Sequence, residues 1–175
     1  MILAFALIAN AAFVMIVAFL HTNYSGNEFS TLVSALIAGL LIKHFIADGA
    51  LQTAYQYLNK GIFGHPGGII HALIHGIMTF LVVLAWSLYF DISIWVVSIA
   101  AFAIFDFITH YLTDWLKVRT TKKYRWSEMV MNDDGTPKGL MIYSNNFFIA
   151  LLADQLVHGL VYTIIVHWAL LFAYS

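Results

Sequence analysis

The sequence predicts an all-α integral membrane protein, a polytopic bundle of about five transmembrane helices, and composition and apolar run length carry that reading. Of its 175 residues 62% are hydrophobic and 10% charged, with a mean hydropathy of +0.85; ordinary soluble domains are about a quarter charged. A helix needs about 20 apolar residues to cross roughly 30 Å of hydrocarbon. Runs of that length lie at about 1–20, 31–58, 67–90, 92–116 and 146–171. They occupy most of the chain, so 1–175 reads as a single transmembrane domain.

The run at 1–20 reads as a membrane helix rather than a signal peptide, because no basic residue precedes it and no small-residue cleavage pattern stands before His21. The second run carries the polar string HFIADGALQ, His44 to Gln52. HPGG, from His65 to Gly68, opens the third, with Pro66 suited to a first helical turn. A polar connection at 117–145 separates the last two runs; its NDDGTPKG is rich in turn formers, and it reads as a partly ordered loop or hairpin. Trp86, Trp95, Trp115, Trp126 and Trp168 read as interfacial anchors.

Charge placement sets the orientation. Lys117, Arg119, Lys122, Lys123, Arg125 and Lys138 fall in the 117–145 connection, Lys60 follows the second run, and Lys43 lies inside it. The positive-inside rule makes both connections cytoplasmic, with the N-terminus cytoplasmic, the C-terminus external and the inner membrane as the location. The stretch from His21 to Ser30, expected outside, has Glu28 and no Lys or Arg. A formal net charge of −1 gives no general attraction to nucleic acid. The basic connection can instead face anionic lipid, and the bilayer is the expected partner. The absence of cysteine excludes disulfides and thiolate ligands.

The informative residues are ionisable ones at membrane depth. Four runs carry them at i, i+4: His44 with Asp48, His71 with His75, Asp106 with His110, and Asp154 with His158; Gln52 and Asp114 extend two of the faces by a turn. That spacing stacks two side chains on one helix face. A charged residue in a membrane helix costs about 2.5–3.5 kcal/mol on insertion scales, so such pairs need partners in one another. At 1.5 Å per residue, Asp48, His75, Asp106, His110, Asp154 and His158 lie about 10–18 Å from the cytoplasmic ends of their runs, in one layer.

Imidazoles and carboxylates without thiolates suit a divalent transition metal, zinc first and manganese or iron after it. The candidate metal residues are His44, Asp48, His71, His75, Asp106, His110, Asp114, Asp154 and His158, with His71 and Asp114 nearer the way in. They exceed the donors of one ion, so they hold two ions or include residues that orient the ligands. A metal bound there lowers the pKa of a water towards neutrality, and Asp48, Asp106 or Asp154 supplies a base beside it. The alternatives are a small metal-ion or proton transporter or channel, and a phage-type membrane effector acting by assembly. No polar route continues to the outer half, which favours a closed site. The first run, without ionisable residues, suits lipid or a homo-oligomer contact.

HFIADGALQ, HPGGIIHALIHG, FDFITHYLTDWLK and ADQLVHG together resemble a family of small bacterial and phage inner-membrane proteins known as a domain of unknown function. The resemblance covers about 38–160. Its H-x-x-x-D-x-x-x-Q falls on His44, Asp48 and Gln52, its HxxxH on His71 and His75, its H-x-x-x-D-x-x-K on His110, Asp114 and Lys117, and its DQxxH on Asp154, Gln155 and His158. More loosely, the pattern is similar to membrane-bound metal-dependent hydrolases, and that likeness implies the reaction class, hydrolysis, here of a membrane-associated, lipid-derived substrate.

Overall fold

The computed structural model describes residues 28–133 and 137–174. The run at 1–20, with its expected membrane or dimer role, lies outside the described residues, as do residues 134–136. Among the described residues, four helices are long and apolar enough to cross a membrane: α1 (Glu28–Gly49), α3 (Pro66–Tyr89), α4 (Val96–Lys123) and α5 (Asn145–Ala173). A short helix, α2 (Ala54–Asn59), joins α1 to α3, and two strands, β1 (Ser127–Met131) and β2 (Pro137–Tyr143), join α4 to α5. The long helices pack as a closed ring in which α1 touches α3, α3 touches α4, α4 touches α5, and α5 returns to α1.

The second predicted run, 31–58, is divided. α1 stops at Gly49, and the amides of Ala50 and Leu51 both return to the carbonyl of Ile46. A new helix starts at Thr53, whose hydroxyl accepts the Gln56 amide at 3.3 Å while the Gln56 side chain accepts the Thr53 amide at 2.7 Å. This reciprocal capping box makes a helix start more favourable than continuation of the old axis. The consequence reaches the site: Asp48, expected well inside a longer span, sits one residue from the end of α1.

Pro66 occupies the first turn of α3, as its fixed φ favours, and His65 Nδ1 accepts the Gly67 amide at 3.1 Å. Against α4, a Cβ on Gly76 would come within 2.9 Å of the Ala103 carbonyl oxygen, so only glycine allows this approach. α4 runs two turns beyond its predicted end, to Lys123. The remainder of the 117–145 connection forms the antiparallel hairpin, with Ser127 opposite Tyr143 and Glu128 opposite Ile142.

Each inward stripe changes character along its length. In α1 it begins with Leu32, Ala35, Leu36 and Leu40 and finishes with Lys43, His44 and Ala47, all buried. In α5 it begins with Asp154 and His158 and continues through Tyr162, Ile165 and Ala169. The helices run alternately up and down, so the polar segments meet at one end and the apolar segments at the other. Trp86, expected at an interface, is 1% exposed within the apolar end and donates its Nε1–H to the Leu32 carbonyl at 3.1 Å. Trp95 is 76% exposed and stands at the N-cap of α4. The outer faces of the helices carry Leu41, Phe45, Leu81, Leu88, Ile104, Leu152 and Leu156, all exposed apolar side chains suited to lipid.

Candidate metal centre

The polar end of the ring gathers side chains from all four long helices. α1 contributes Lys43, His44 and Asp48; α3 contributes His71, His75 and Thr79; α4 contributes Asp106, His110, Asp114 and Lys117; α5 contributes Asp154, His158 and Tyr162. The i, i+4 spacing produces this arrangement, because each helix turns two donors towards the same axis. All the histidines of the set are buried, His75 and His110 completely. Asp48 is the most open of the carboxylates, its side chain 31% exposed.

One knot of contacts centres on His71 Nε2. Asp114 Oδ2 lies 3.1 Å away, Asp48 Oδ1 3.2 Å, His110 Nε2 3.2 Å and the Gln52 amide nitrogen 3.1 Å. Asp48 Oδ1 is also 3.2 Å from His75 Nε2, and His110 Nε2 is 3.4 Å from Asp114 Oδ2. A single ring N–H has one direction and satisfies one such neighbour well. Donors held about 2.0–2.1 Å from a tetrahedral zinc stand about 3.3 Å from one another, the spacing seen here. Asp48, His71, His75 and His110 each offer an atom within 4.8 Å of the others, and His110, Asp114 and His158 form a second such group. These clusters could hold a metal ion.

Around this knot the carboxylates differ in their cations. Lys43 Nζ lies 2.5 Å from Asp106 Oδ2, Lys60 Nζ 3.0 Å from Asp114 Oδ2, and Lys117 Nζ 3.0 Å from Asp154 Oδ2. Asp48 has no lysine at ion-pair distance among the described residues; its contacts are His44 at 3.3 Å, His71 and His75. Its negative charge therefore faces imidazoles alone.

Asp106 is set apart from the other predicted ligands. Its Oδ2 accepts from Thr79 at 2.6 Å and from Lys43, and neither oxygen touches an imidazole within ion-pair distance. Lys43 is itself 1% exposed, donates to the His75 carbonyl at 3.4 Å and lies 4.7 Å from the centre of the Tyr162 ring. This pair closes the floor of the site, below which the apolar core begins. The other eight predicted residues form one connected cluster: His44 Nδ1 meets the Tyr162 hydroxyl at 2.8 Å, its ring lies 4.9 Å from that of His158, and His158 Nε2 is 3.6 Å from Asp154 Oδ1.

Three participants escape sequence reasoning. Lys60 reads there only as a topological charge, yet α2 turns Gln56 and Lys60 inward on one face and delivers the lysine to Asp114. The signal was present as Thr53-x-x-Gln56, a capping box inside an apolar run. Tyr162 extends the Asp154, His158 series by one more i, i+4 step, and Thr79 extends His71, His75 in the same way. Uncharged hydroxyls in an apolar run carry little signal, because they cost far less to bury there than a charged group.

Residues 36–175 match a sequence family described as protein of unknown function (DUF3307). No curated protein and no solved structure matches the chain.

Proposed function

We propose, for a chain that belongs to the DUF3307 family of proteins of unknown function, that its buried His/Asp cluster binds zinc, before manganese or iron, and hydrolyses a membrane-associated substrate. The observation that carries the metal reading is the set of 3.1–3.4 Å contacts linking Asp48, His71, His75, His110 and Asp114. More lone pairs converge there than the available N–H groups can serve, and a cation satisfies them together. Imidazole and carboxylate donors without sulfur favour zinc, manganese or iron over calcium or magnesium.

Asp48, His71, His75 and His110 would hold a divalent ion, which would supply a water of lowered pKa. Of the three carboxylates considered as a base, Asp106 also keeps a buried Oδ1 without a hydrogen bond but meets no imidazole of the cluster, and Asp48 is committed to the imidazoles. Asp154 is the better base: Lys117 and Gln155 hold its Oδ2 at 3.0 and 3.1 Å, leaving a buried Oδ1 without a hydrogen bond. Asp154 would accept one proton of the attacking water as its oxygen adds to the carbonyl carbon or phosphorus of the substrate, and would return that proton to the leaving group. The half-open Asp48 edge lies beside the lipid-facing Phe45, 72% exposed, and an amphiphile can approach from there.

Support for hydrolysis over conduction comes from the floor of the site. Beyond Asp106, Thr79 and Tyr162 the interior is filled by Leu36, Leu40, Val83, Phe102 and Ile165, each no more than 5% exposed, and no polar route crosses it among the described residues. A cytoplasmic site with an external C-terminus is supported by charge: the site end of the bundle also carries Arg119, Lys122, Lys123 and Arg125. The test is turnover of lipid-linked ester, phosphoester and amide probes by zinc-loaded protein in micelles. One class should be cleaved, and Asp154→Asn should retain the metal while losing about 10²–10⁴-fold in rate. Failure of all three classes, with zinc bound, would remove the hydrolase and leave the metal site.

A further inference from the structure

We infer that the cluster is a two-metal centre, with a second divalent ion held by His110, Asp114 and His158 beside the one held by Asp48, His71 and His75. The inference rests on the metal reading above and deepens it. Three of its residues form a donor group with ligand atoms all within 4.8 Å of one another, and a separate observation points to a ligand among them. His110 Nδ1, Asp114 Oδ2 and His158 Nε2 are buried with no hydrogen bond, on residues no more than 4% exposed.

These atoms have close neighbours and yet are not aligned with them. Asp114 Oδ2 has Lys60 Nζ at 3.0 Å and His71 Nε2 at 3.1 Å, and His158 Nε2 has Asp154 Oδ1 at 3.6 Å, without the angles of a hydrogen bond. Buried donors and acceptors left in that state cost about 1–3 kcal/mol each, and a membrane interior offers no bulk water to repair the loss. Three neighbouring residues that each keep a buried polar atom without a hydrogen bond, and that can bring ligand atoms within 4.8 Å of one another, are what a shared cation would satisfy.

Sharing of His110 decides the partition. Its ring is stacked between His75, 3.5 Å away, and His158, 4.3 Å away, so it borders both groups. Assigned to the second group, it leaves each ion three protein donors, the number catalytic zinc sites use when a position stays open for water or substrate. Neighbouring donor sets of this kind build two-metal sites with ions about 3.5–4 Å apart. Two ions also alter the charge of the site. Four aspartates and three lysines leave it at −1 with neutral imidazoles, and two divalent ions bring it to +3. A centre with that charge in a low-dielectric interior selects an anionic ligand, and a phosphoester is the anionic member of the three substrate classes.

The experiment counts metal in intact protein purified without chelator, then repeats the count with His158→Ala and His71→Ala, and records electron paramagnetic resonance of manganese-loaded samples. Two ions per chain are expected in the wild type with a spin-coupled manganese spectrum. Each variant should retain one ion and give an uncoupled spectrum, and the retained ion shows that the variant is folded. One ion per chain in the wild type, or an uncoupled wild-type spectrum at full loading, overturns the two-metal centre while leaving the metal reading intact. Zero metal in the wild type removes both.

Discussion

The two ends of the helix ring are built from the same four helices, and they solve burial in opposite ways. At one end Leu36, Leu40, Val83, Trp86, Ile99 and Ile165 pack with no more than 1% exposure and one side-chain hydrogen bond, Trp86 to the Leu32 carbonyl. At the other, five imidazoles and four carboxylates are buried as well, save Asp48, and several of their atoms have no aligned partner. The apolar end is complete within the protein. The polar end keeps buried polar atoms without hydrogen bonds, in clusters that could hold a metal ion.

That contrast is broken most severely by cavity mutations set against ligand mutations. Leu36→Ala should lower stability in detergent by about 2–5 kcal/mol, while metal per folded chain stays at the wild-type level. His75→Ala should reverse the pattern of cause: metal content falls, and the loss of thermal stability disappears when both proteins are compared after metal removal. Melting curves with and without chelator check both. If Leu36→Ala stripped the metal from folded protein, the two ends would be one cooperative unit and the comparison would fail.

A smaller effect is expected where α3 meets α4 beside the cluster. Gly76→Ala puts a methyl group 2.9 Å from the Ala103 carbonyl oxygen and must displace α4, at a cost of about 1–3 kcal/mol. Because His75 and His110 stack across that contact, the variant should also weaken metal binding, which a competition titration against a zinc chelator measures. Tight binding unchanged from wild type would show that the imidazoles tolerate a shifted helix.

The cluster was the most legible feature of the sequence, and the physical reason is narrow. A histidine or aspartate in an apolar run is expensive, so its spacing survives as a signal: His44 with Asp48, His71 with His75 and Asp154 with His158 could be placed on common faces, and the structure brings them together. Helix boundaries were less legible. Hydropathy reads Ala50 to Leu58 as a continuation of the second run, whereas the reversal depends on two hydrogen bonds at Thr53 and Gln56 that no apolar average contains. Lys60 was lost with that boundary. Asp106 shares the i, i+4 signature of its neighbours and turns to Lys43 instead, a choice made by which helix lies opposite. Trp86 illustrates the same limit, since an indole fits an interface or a core equally by composition.

The weakest perturbation sharpens the apolar end. Trp86→Phe keeps most of the ring packing and removes the donor to Leu32, so it should cost about 1 kcal/mol with no change in metal content. His167, exposed on α5 and outside the cluster, should be replaceable by Ala without effect on either property. Orientation is checked separately by reporter fusions after Ser175 and within the 117–145 connection, with the first expected outside and the second in the cytoplasm. The opposite pattern would put the site at the outer face.

The central claim is that the polar end of the bundle is organised by a bound metal, and elemental analysis of wild-type protein purified in detergent without chelator tests it most directly. The account predicts stoichiometric zinc, manganese or iron in the folded protein, and a rise in melting temperature when the stripped protein is given that metal back. Metal-free wild type that gains no thermal stability from zinc, manganese or iron would contradict it, and the His/Asp layer would then be read as polar packing or a proton path.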